Sequence, residues 1–169
     1  MKTLIAYATR YGSTTRTAGL LAEVIGKAAA NDVTVMDARK VSRATIEGFD
    51  AFVVGSSIAM GRWKGSAKKL LPKLAATGKP VAVFVTAGGA LSGREPGSDP
   101  TAPVTKPLEQ REGEAIERYL RPAAEAAGLK PVAEAAFGGR MVMFGKEQFD
   151  NWEGERIKAW GSTLASKLR

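Results

Sequence analysis

The chain has 169 residues, of which 44% are hydrophobic and 25% charged, and its formal net charge at pH 7 is +8. A chain of this length and composition is typical of one globular domain, so we expect a single domain over residues 1–169. Cysteine and histidine are both absent, which excludes disulfides, thiolate metal sites, imidazole bases and a Ser-His-Asp triad. Chemistry beyond hydroxyl, carboxylate, lysine or tyrosine groups would therefore need a bound cofactor.

The N-terminal segment lacks the pattern of a signal peptide, because Lys2 is followed at once by a strand-like apolar run. No apolar run approaches the roughly 20 residues that span a bilayer. We therefore expect a cytoplasmic protein.

Short apolar runs alternate along the chain with segments of helical periodicity, which is typical of βαβ units and a mainly parallel sheet. Strands are predicted at residues 2–8, 33–36, 51–55, 81–85 and 131–137. Helices are predicted at 14–29, 66–76, 112–127 and 149–168, with a short helix or turn at 44–49. The predicted fold class is α/β, a doubly wound sandwich whose five-stranded parallel sheet has the order 2-1-3-4-5 and helices on both faces.

A long interruption separates the fourth strand from the helix that follows it. Residues 88–111 contain Pro96, Pro100, Pro103 and Pro107, half of the eight prolines in the chain. A loop of this length in a compact domain is either functional or partly disordered, and both interpretations stay open here.

Doubly wound sheets bind ligands outside the carboxyl ends of their strands, at the switch point between strands 1 and 3. The loops of interest therefore follow Ala8, Gly55 and Val85. In the first loop, residues 9–15 (TRYGSTT) lead directly into a predicted helix, and hydroxyls with a glycine at a helix N-terminus suit an anion. Simple N-capping by Ser13 or Thr14 is the alternative.

Other phosphate-binding classes are disfavoured by the same loops. There is no G-x-x-x-x-G-K-[ST] motif, and no G-x-G-x-x-G follows the first strand. Response-regulator receivers need acidic residues at the ends of strands 1 and 3, where this chain has Tyr7-Ala8-Thr9 and Gly55-Ser56-Ser57.

The spacing Thr9-x-x-Gly12-x-Thr14 after an apolar strand resembles the FMN-phosphate loop of flavodoxins. The opening segment MKTLIAYATRYGSTTRTAGLLAEVI is similar to the flavodoxin-like, quinone-dependent protoporphyrinogen dehydrogenases. The segments FDAFVVGSSIAMGRWKG and WEGERIKAWGSTLASKLR resemble the third strand with its loop and the C-terminal helix of that subfamily. The resemblance implies a flavodoxin-like fold with FMN as the cofactor.

Three groups of cofactor-binding residues follow from the resemblance. The phosphate group would be held by Thr9, Arg10, Gly12, Ser13, Thr14 and Thr15, with Tyr11 beside it. One side of the isoalloxazine ring would be lined by Ser56, Ser57, Ile58, Ala59, Met60 and Gly61, and the other by Thr86, Ala87, Gly88 and Gly89. Trp63 is either a stacking partner of the ring or a rim aromatic over the neighbouring helix. No metal ligand and no catalytic side chain are expected, because the chemistry would take place on the flavin.

Positive charge is concentrated in the middle of the chain. Residues 51–94 have no Asp or Glu and seven basic residues, which we call the basic block: Arg62, Lys64, Lys68, Lys69, Lys73, Lys79 and Arg94. It is either a solvated face or a docking face for an acidic protein, anionic lipid or anionic substrate. Nucleic acid is not expected as a partner, because no nucleic-acid motif accompanies the charge.

Two departures from the resembling proteins bear on the activity. Soluble flavodoxin carriers are usually strongly acidic, whereas this chain is basic. Between Phe149 and Trp152 the chain also lacks a basic, apolar stretch of the protoporphyrinogen enzymes.

We favour an FMN-dependent oxidoreductase that transfers electrons from an organic or protein donor to a quinone-like acceptor, in the manner of protoporphyrinogen dehydrogenase. The alternatives are a one-electron carrier that docks on an acidic redox protein, and a binding module without redox chemistry. Peripheral contact with a membrane stays open as well.

Overall fold

A computed structural model describes residues 1–28, 31–94, 98–99 and 101–169. The strands are β1 Lys2–Ala8, β2 Asp32–Asp37, β3 Ala51–Ala59, β4 Arg62–Trp63, β5 Val81–Thr86, β6 Ala133–Phe137, β7 Arg140–Met143 and β8 Lys146–Asp150. The helices are α1 Ser13–Ala28, α2 Arg43–Glu47, α3 Gly65–Lys68, α4 Leu70–Ala75, α5 Gly88–Leu91, α6 Leu108–Ala115, α7 Arg121–Ala126 and α8 Gly154–Lys167. A short 3₁₀ turn, Ala38–Lys40, precedes α2, and a π-helical stretch, Ile116–Leu120, joins α6 to α7.

The central sheet has the strand order β2-β1-β3-β5-β6, and all of these pairs are parallel. Counted as parallel strands only, this is the predicted order 2-1-3-4-5, and the predicted fold class is confirmed. The two-residue strand β4 pairs antiparallel with the end of β3, where Ile58 lies opposite Trp63 and Ala59 opposite Arg62. This short hairpin extends the sheet beyond its carboxyl edge.

Hydrophobic cores lie on both faces of the sheet, because successive strand residues point to opposite sides. On one face Ile5, Val53 and Phe84 pack with residues of α1 and α8. On the other, Leu4 and Phe52 pack with residues of α2, α3, α4 and the α6–α7 segment.

Phe84 imposes a strict requirement on its neighbour in the sheet. A Cβ atom at Gly55 would lie 2.0 Å from the Phe84 ring, so glycine is needed for this ring to cross the adjacent strand. The Phe84 ring then meets Phe137 and Trp160, with centroid separations of 6.2 and 6.1 Å. This aromatic cluster fixes α8 against the sheet.

The predicted closing helix, 149–168, is wrong at its beginning. The helix starts at Gly154, and Phe149 belongs to β8, which pairs with β7 in a separate two-stranded antiparallel sheet. The turn between these strands is Phe144-Gly145, and both residues have positive φ, 51° and 73°. The spacing of Phe149 and Trp152 imitates a helical period, although the chain there is extended.

The interruption predicted at 88–111 is shorter than expected. Helix α5 begins at Gly88 and α6 begins at Leu108, so only residues 92–107 separate them. Within this connection the Arg94 guanidinium donates to the carbonyl oxygens of Asp99 and Ala102, at 3.3 and 2.5 Å. Pro96 and Pro100, like Ala29 at the end of the first predicted helix, lie outside the described residues.

Other predicted segments also differ from the structure. Strand β3 continues to Ala59 rather than ending at Gly55, and the strand predicted from 131 begins at Ala133. The helix at 66–76 is two helices that meet at Lys69, and the helix predicted from 112 begins at Leu108. Within the described part of the chain, no helix is both long enough and apolar enough to cross a membrane.

Candidate functional site

The loop after β1 presents the N-terminus of a long helix at the carboxyl edge of the sheet. Gly12 has a φ of 91°, and its amide donates to the Thr9 hydroxyl at 2.9 Å. The turn lets α1 begin at Ser13 and continue for 16 residues, with no acidic side chain in its first turn. The free amides and the helix dipole therefore favour a bound anion at this point.

Ser13 and Thr14 are both buried, but their hydroxyls differ. The Thr14 hydroxyl lies 2.8 Å from that of Thr86, which connects the first loop to the end of β5. The Ser13 side chain is 6% exposed, and its oxygen has no hydrogen-bond partner among the described residues. Neither hydroxyl caps the helix, so the capping alternative finds no support in their contacts.

The end of β3 repeats this contrast. The Ser56 hydroxyl donates to the Ser57 carbonyl oxygen and accepts from the Lys64 amide, both at 2.9 Å. The Ser57 hydroxyl is buried and has no partner in the described part of the chain. Ser57 is the register partner of Thr86 in the β3–β5 pair, so the two side chains project from the same face of the sheet.

A buried hydroxyl without a partner costs roughly 1–3 kcal/mol, so native proteins rarely leave one unexplained. Among the described residues the hydroxyls of Thr3, Ser13 and Ser57 are of this kind. Thr3 lies at the amino end of β1, whereas Ser13 and Ser57 lie on neighbouring loops of the carboxyl edge and point to a ligand that brings its own hydrogen-bonding atoms. Ser13 and Ser57 are therefore the most informative of the predicted site residues.

The third loop is held closely from outside. The Ala87 amide donates to the Phe137 carbonyl oxygen at 2.8 Å, and Gly88 is buried. A Cβ atom at Gly88 would lie 2.3 Å from the Phe149 ring and 3.1 Å from the Asn151 amide oxygen. Glycine at this position permits the base of the β7–β8 hairpin to rest on the loop.

The β3–β4 hairpin forms a basic pocket with the first loop. This pocket, of about 370 Å³, is lined by Arg10, Ala59, Met60, Arg62, Trp63 and Lys64. The Trp63 indole nitrogen donates to the Tyr119 carbonyl oxygen at 2.6 Å. The Trp63 ring packs against the hydrophobic core that the sheet forms with α2, α3, α4 and the α6–α7 segment. Trp63 thus has the position of a rim aromatic over the neighbouring helix, while one part of it faces the pocket.

The other predicted residues lie at the margin of these loops. Ile58 and Ala59 are partly buried in the extension of β3, Gly61 is exposed in its turn, and Gly89 is exposed in α5. Thr15 is exposed on α1, one residue past Thr14. The structure thus brings Ser13, Thr14, Ser57 and Thr86 together and leaves Thr15 outside the group.

Sequence reasoning missed the second wall of the site, which the β7–β8 hairpin supplies. A pocket of about 230 Å³ lies between this hairpin and the first loop, lined by Tyr11, Gly12, Ser13, Arg16, Arg140, Glu147, Asp150 and Trp152. The Arg16 guanidinium stacks on the Trp152 ring at 3.6 Å from its centroid, and the indole nitrogen donates to the Thr17 hydroxyl at 3.0 Å. The sequence signals for this wall are Gly138-Gly139 and Phe144-Gly145, which mark the two ends of β7.

Asn151 joins the hairpin to two of the loops. Its side-chain nitrogen donates to the Gly88 carbonyl oxygen at 2.9 Å, and its side-chain oxygen accepts from the Gly139 amide at 2.9 Å. The Asn151 amide also donates to the Gly139 carbonyl oxygen at 3.0 Å. Since a Cβ atom at Gly139 would lie 3.4 Å from the Ser13 oxygen, this connection reaches the first loop too.

The site as a whole combines an anion-binding helix N-terminus, two unpartnered hydroxyls, basic rims and loops of small residues. Donors of this kind suit a phosphate group, and small residues let the backbone approach the polar edge of a flat ring. The residues present therefore fit a phosphorylated, planar cofactor.

The fold is shared with solved flavodoxins at low sequence identity. A flavodoxin from the domain Archaea is 17% identical, with a TM-score of 0.60 and 99% of each chain covered. The Megasphaera elsdenii flavodoxin is 16% identical, with a TM-score of 0.59 and coverage of 97% of this chain and 98% of that one. Rubredoxin oxygen:oxidoreductase from Desulfovibrio gigas is 18% identical with a TM-score of 0.62, and this chain spans only 36% of its length.

Comparison of the sequence with curated proteins gives no match. The family model described as "Flavodoxin domain", however, matches residues 4–143, which include all three loops. The chain therefore belongs to the flavodoxin domain family.

Proposed function

We propose that the protein binds FMN at the carboxyl edge of its sheet and transfers electrons from an organic or protein donor to a quinone-like acceptor. The observation that carries this proposal is the pair of buried, unpartnered hydroxyls of Ser13 and Ser57. They lie on two of the loops at which members of the flavodoxin domain family would hold a flavin, and they support a ligand rich in polar atoms.

In this proposal the first loop holds the phosphate. The amides at the start of α1 and the Ser13 hydroxyl donate to its oxygens, while Gly12 turns the chain without a side chain in the way. The ring lies between the β3–β4 hairpin and residues 86–89, where glycine and alanine permit close approach of the backbone. Bound FMN would supply the redox chemistry, and the protein positions it and shields it from water.

The carrier hypothesis is the second candidate, and the distribution of charge favours it. Arg10, Arg62 and Lys64 line the pocket beside the proposed ring, and no acidic residue lines it. A surface of this kind complements an acidic redox protein and would increase the rate of encounter with it. A binding module without redox chemistry is the lesser alternative.

The first experiment measures flavin binding. The purified protein should bind FMN with a visible flavin spectrum, and it should bind riboflavin much more weakly, because riboflavin lacks the phosphate. Competition by inorganic phosphate should weaken FMN binding and leave the residual binding of riboflavin unchanged. Equal affinities for the two flavins would disprove the phosphate site, and absence of flavin binding would favour the module.

Turnover separates the two redox functions. Steady-state reduction of a small quinone by the FMN-loaded protein, with a chemical or organic electron donor, supports the oxidoreductase. Protoporphyrinogen as the donor tests the narrower resemblance. A protein that exchanges electrons only with an acidic protein partner is a carrier.

A further inference from the structure

Two hairpins beside the first loop end in exposed apolar residues. Met60, at the tip of the β3–β4 hairpin, is 90% exposed, and Phe144, at the tip of the β7–β8 hairpin, is 96% exposed. Arg10 lines a pocket with the first hairpin, while Tyr11, Gly12 and Ser13 line a pocket with the second. The two hairpins therefore flank the same loop at the carboxyl edge of the sheet.

The turn geometry makes these two residues unfavourable choices. Met60-Gly61 and Phe144-Gly145 are each the two-residue turn between two paired antiparallel strands, and all four residues have positive φ. This is the two-residue hairpin turn that prefers Asn-Gly or Asp-Gly, and a bulky residue with positive φ is a backbone outlier. Each tip thus accepts backbone strain and also exposes a large apolar side chain to water.

The surroundings of the first tip are cationic. The Met60 side chain lines its pocket together with Arg10, Arg62 and Lys64, and the half-buried Trp63 stands next to them. The second tip has Met143, 43% exposed, before Phe144 and Lys146 after the turn. Farther down the second hairpin, Glu147 is neutralised by Arg140 at 2.7 Å, and Asp150 accepts from the Trp152 amide.

We propose that these two hairpin tips dock the protein on an anionic membrane surface. Met60 and Phe144 enter the boundary between headgroups and acyl chains, and Arg10, Arg62 and Lys64 contact anionic headgroups. Two projecting apolar tips, the first of them with three cationic neighbours, suit a fluid lipid surface, which adapts its shape to the protein. Arg62 and Lys64 of the basic block, together with Arg10, give this surface its preference for anionic lipid.

The test is co-sedimentation of the purified protein with vesicles, made either of phosphatidylcholine alone or of a mixture rich in phosphatidylglycerol. We expect binding to the anionic vesicles and little to the neutral ones, and we expect it to weaken with salt. Phe144→Asn should reduce binding roughly tenfold or more, since it removes a buried aromatic ring from the interface. Because Asn-Gly suits this turn better than Phe-Gly, the variant should be at least as thermally stable as the parent.

Two further variants serve as controls. Phe144→Leu keeps an apolar tip and should retain most of the binding, whereas Val132→Asn removes an exposed apolar residue at the opposite edge of the sheet and should change nothing. Met60→Asn should act like Phe144→Asn, with its flavin content recorded because Met60 also belongs to the proposed FMN site. Vesicle binding by Phe144→Asn equal to that of the parent, or no preference for anionic vesicles, would overturn the proposal.

An acidic protein partner gives a different pattern. If soluble polyglutamate displaced the protein from vesicles and Phe144→Asn bound as the parent does, the surface would be an electrostatic one for acidic polypeptides, and the membrane proposal would be wrong. The assay needs no flavin, so its failure is distinguishable from failure of the proposed FMN binding.

Discussion

Ser13 and Thr14 are neighbours at the start of α1, yet their hydroxyls serve different purposes. The Thr14 hydroxyl pairs with Thr86 inside the protein, so it stabilises the junction of two loops. Ser13 is buried, and its hydroxyl has no hydrogen-bond partner in the described structure, so it is available to a ligand. The sequence motif predicts the same role for both residues, and only their contacts in the folded protein distinguish them.

Substitutions of these two residues should change different quantities: Ser13→Ala should weaken FMN binding, and Thr14→Val should lower the stability of the protein. Ser13→Ala should leave the apoprotein as stable as before, or slightly more stable, and weaken FMN by about 1 kcal/mol, the value of a typical hydrogen bond. Thr14→Val should lower the free energy of unfolding by roughly 1–3 kcal/mol, because it leaves the Thr86 hydroxyl buried without its partner.

Thermal unfolding of the apoprotein and titration with FMN check both effects. Thr15→Val, at the exposed neighbouring position, serves as the control and should change neither quantity. If Ser13→Ala bound FMN with unchanged affinity while Thr14→Val lost it, the assignment of the free hydroxyl to Ser13 would be incorrect.

At the scale of elements, the β7–β8 hairpin completes a site that the three predicted loops leave open. Phe149 rests on Gly88, Trp152 packs on Arg16, and Asn151 bonds to Gly88 and Gly139. These contacts join α1, α5 and the end of β6 through one short segment. We therefore regard Asn151 as a positioning residue for the loops of the proposed site.

Asn151→Ala should weaken FMN binding and destabilise the protein by roughly 1–3 kcal/mol, because the Gly139 amide loses its partner. The Gly88 carbonyl oxygen loses one of its two donors and keeps the Ser92 amide. Asn151→Asp keeps an oxygen for the Gly139 amide but loses the donor to Gly88, so its effect should fall on the third loop. Hydrogen exchange of the Gly88 and Gly89 amides, alongside thermal unfolding and FMN titration, would detect this difference.

Gln148→Ala is the matched control, since Gln148 is exposed on the same hairpin and its side chain donates one hydrogen bond, to the Lys146 carbonyl oxygen. It should behave as the parent. Unchanged exchange at Gly88 and Gly89 in Asn151→Ala would show that the hairpin does not hold this loop.

Features that local contacts determine were predicted from the sequence, whereas features that distant contacts determine were not. Strand β1 was predicted to the residue, because its apolar run and the turn after it are local signals. The strands RMVM and KEQFD were missed, because β7 and β8 are short and largely exposed and carry no clean alternation. The role of Asn151 depends on partners 63 and 12 residues away, which no local pattern encodes.

At the scale of the whole molecule, part of the positive charge lies close to the site. Arg62, Lys64, Lys68 and Lys69 of the basic block follow the carboxyl end of β3, in β4 and around α3, whereas Lys79 precedes β5 at the opposite edge of the sheet. Four lysines lie at the opposite edge of the sheet. Lys2 begins β1, Lys130 precedes β6, and Lys27 and Lys167 lie in the last turns of α1 and α8. Arg62, Lys64, Lys68 and Lys69 and these four lysines thus form two groups of equal charge at different distances from the proposed flavin.

This arrangement predicts that the nearby positive charges raise the reduction potential of the bound flavin. Reduction adds negative charge to the ring, and a unit positive charge about 10 Å away stabilises that charge by roughly 0.4 kcal/mol in water. Changing Arg62, Lys64, Lys68 and Lys69 to Gln should therefore lower the two-electron midpoint potential by on the order of a few tens of millivolts at low salt, and by less at high salt. Spectroelectrochemical titration of the FMN-loaded protein at two ionic strengths measures this shift.

Changing Lys2, Lys27, Lys130 and Lys167 to Gln removes the same net charge and should leave the potential nearly unchanged, because these groups lie at the far edge of the sheet. Equal shifts in the two quadruple variants would mean that net charge alone matters. No shift in either would mean that the basic block is a solvated face without influence on the flavin.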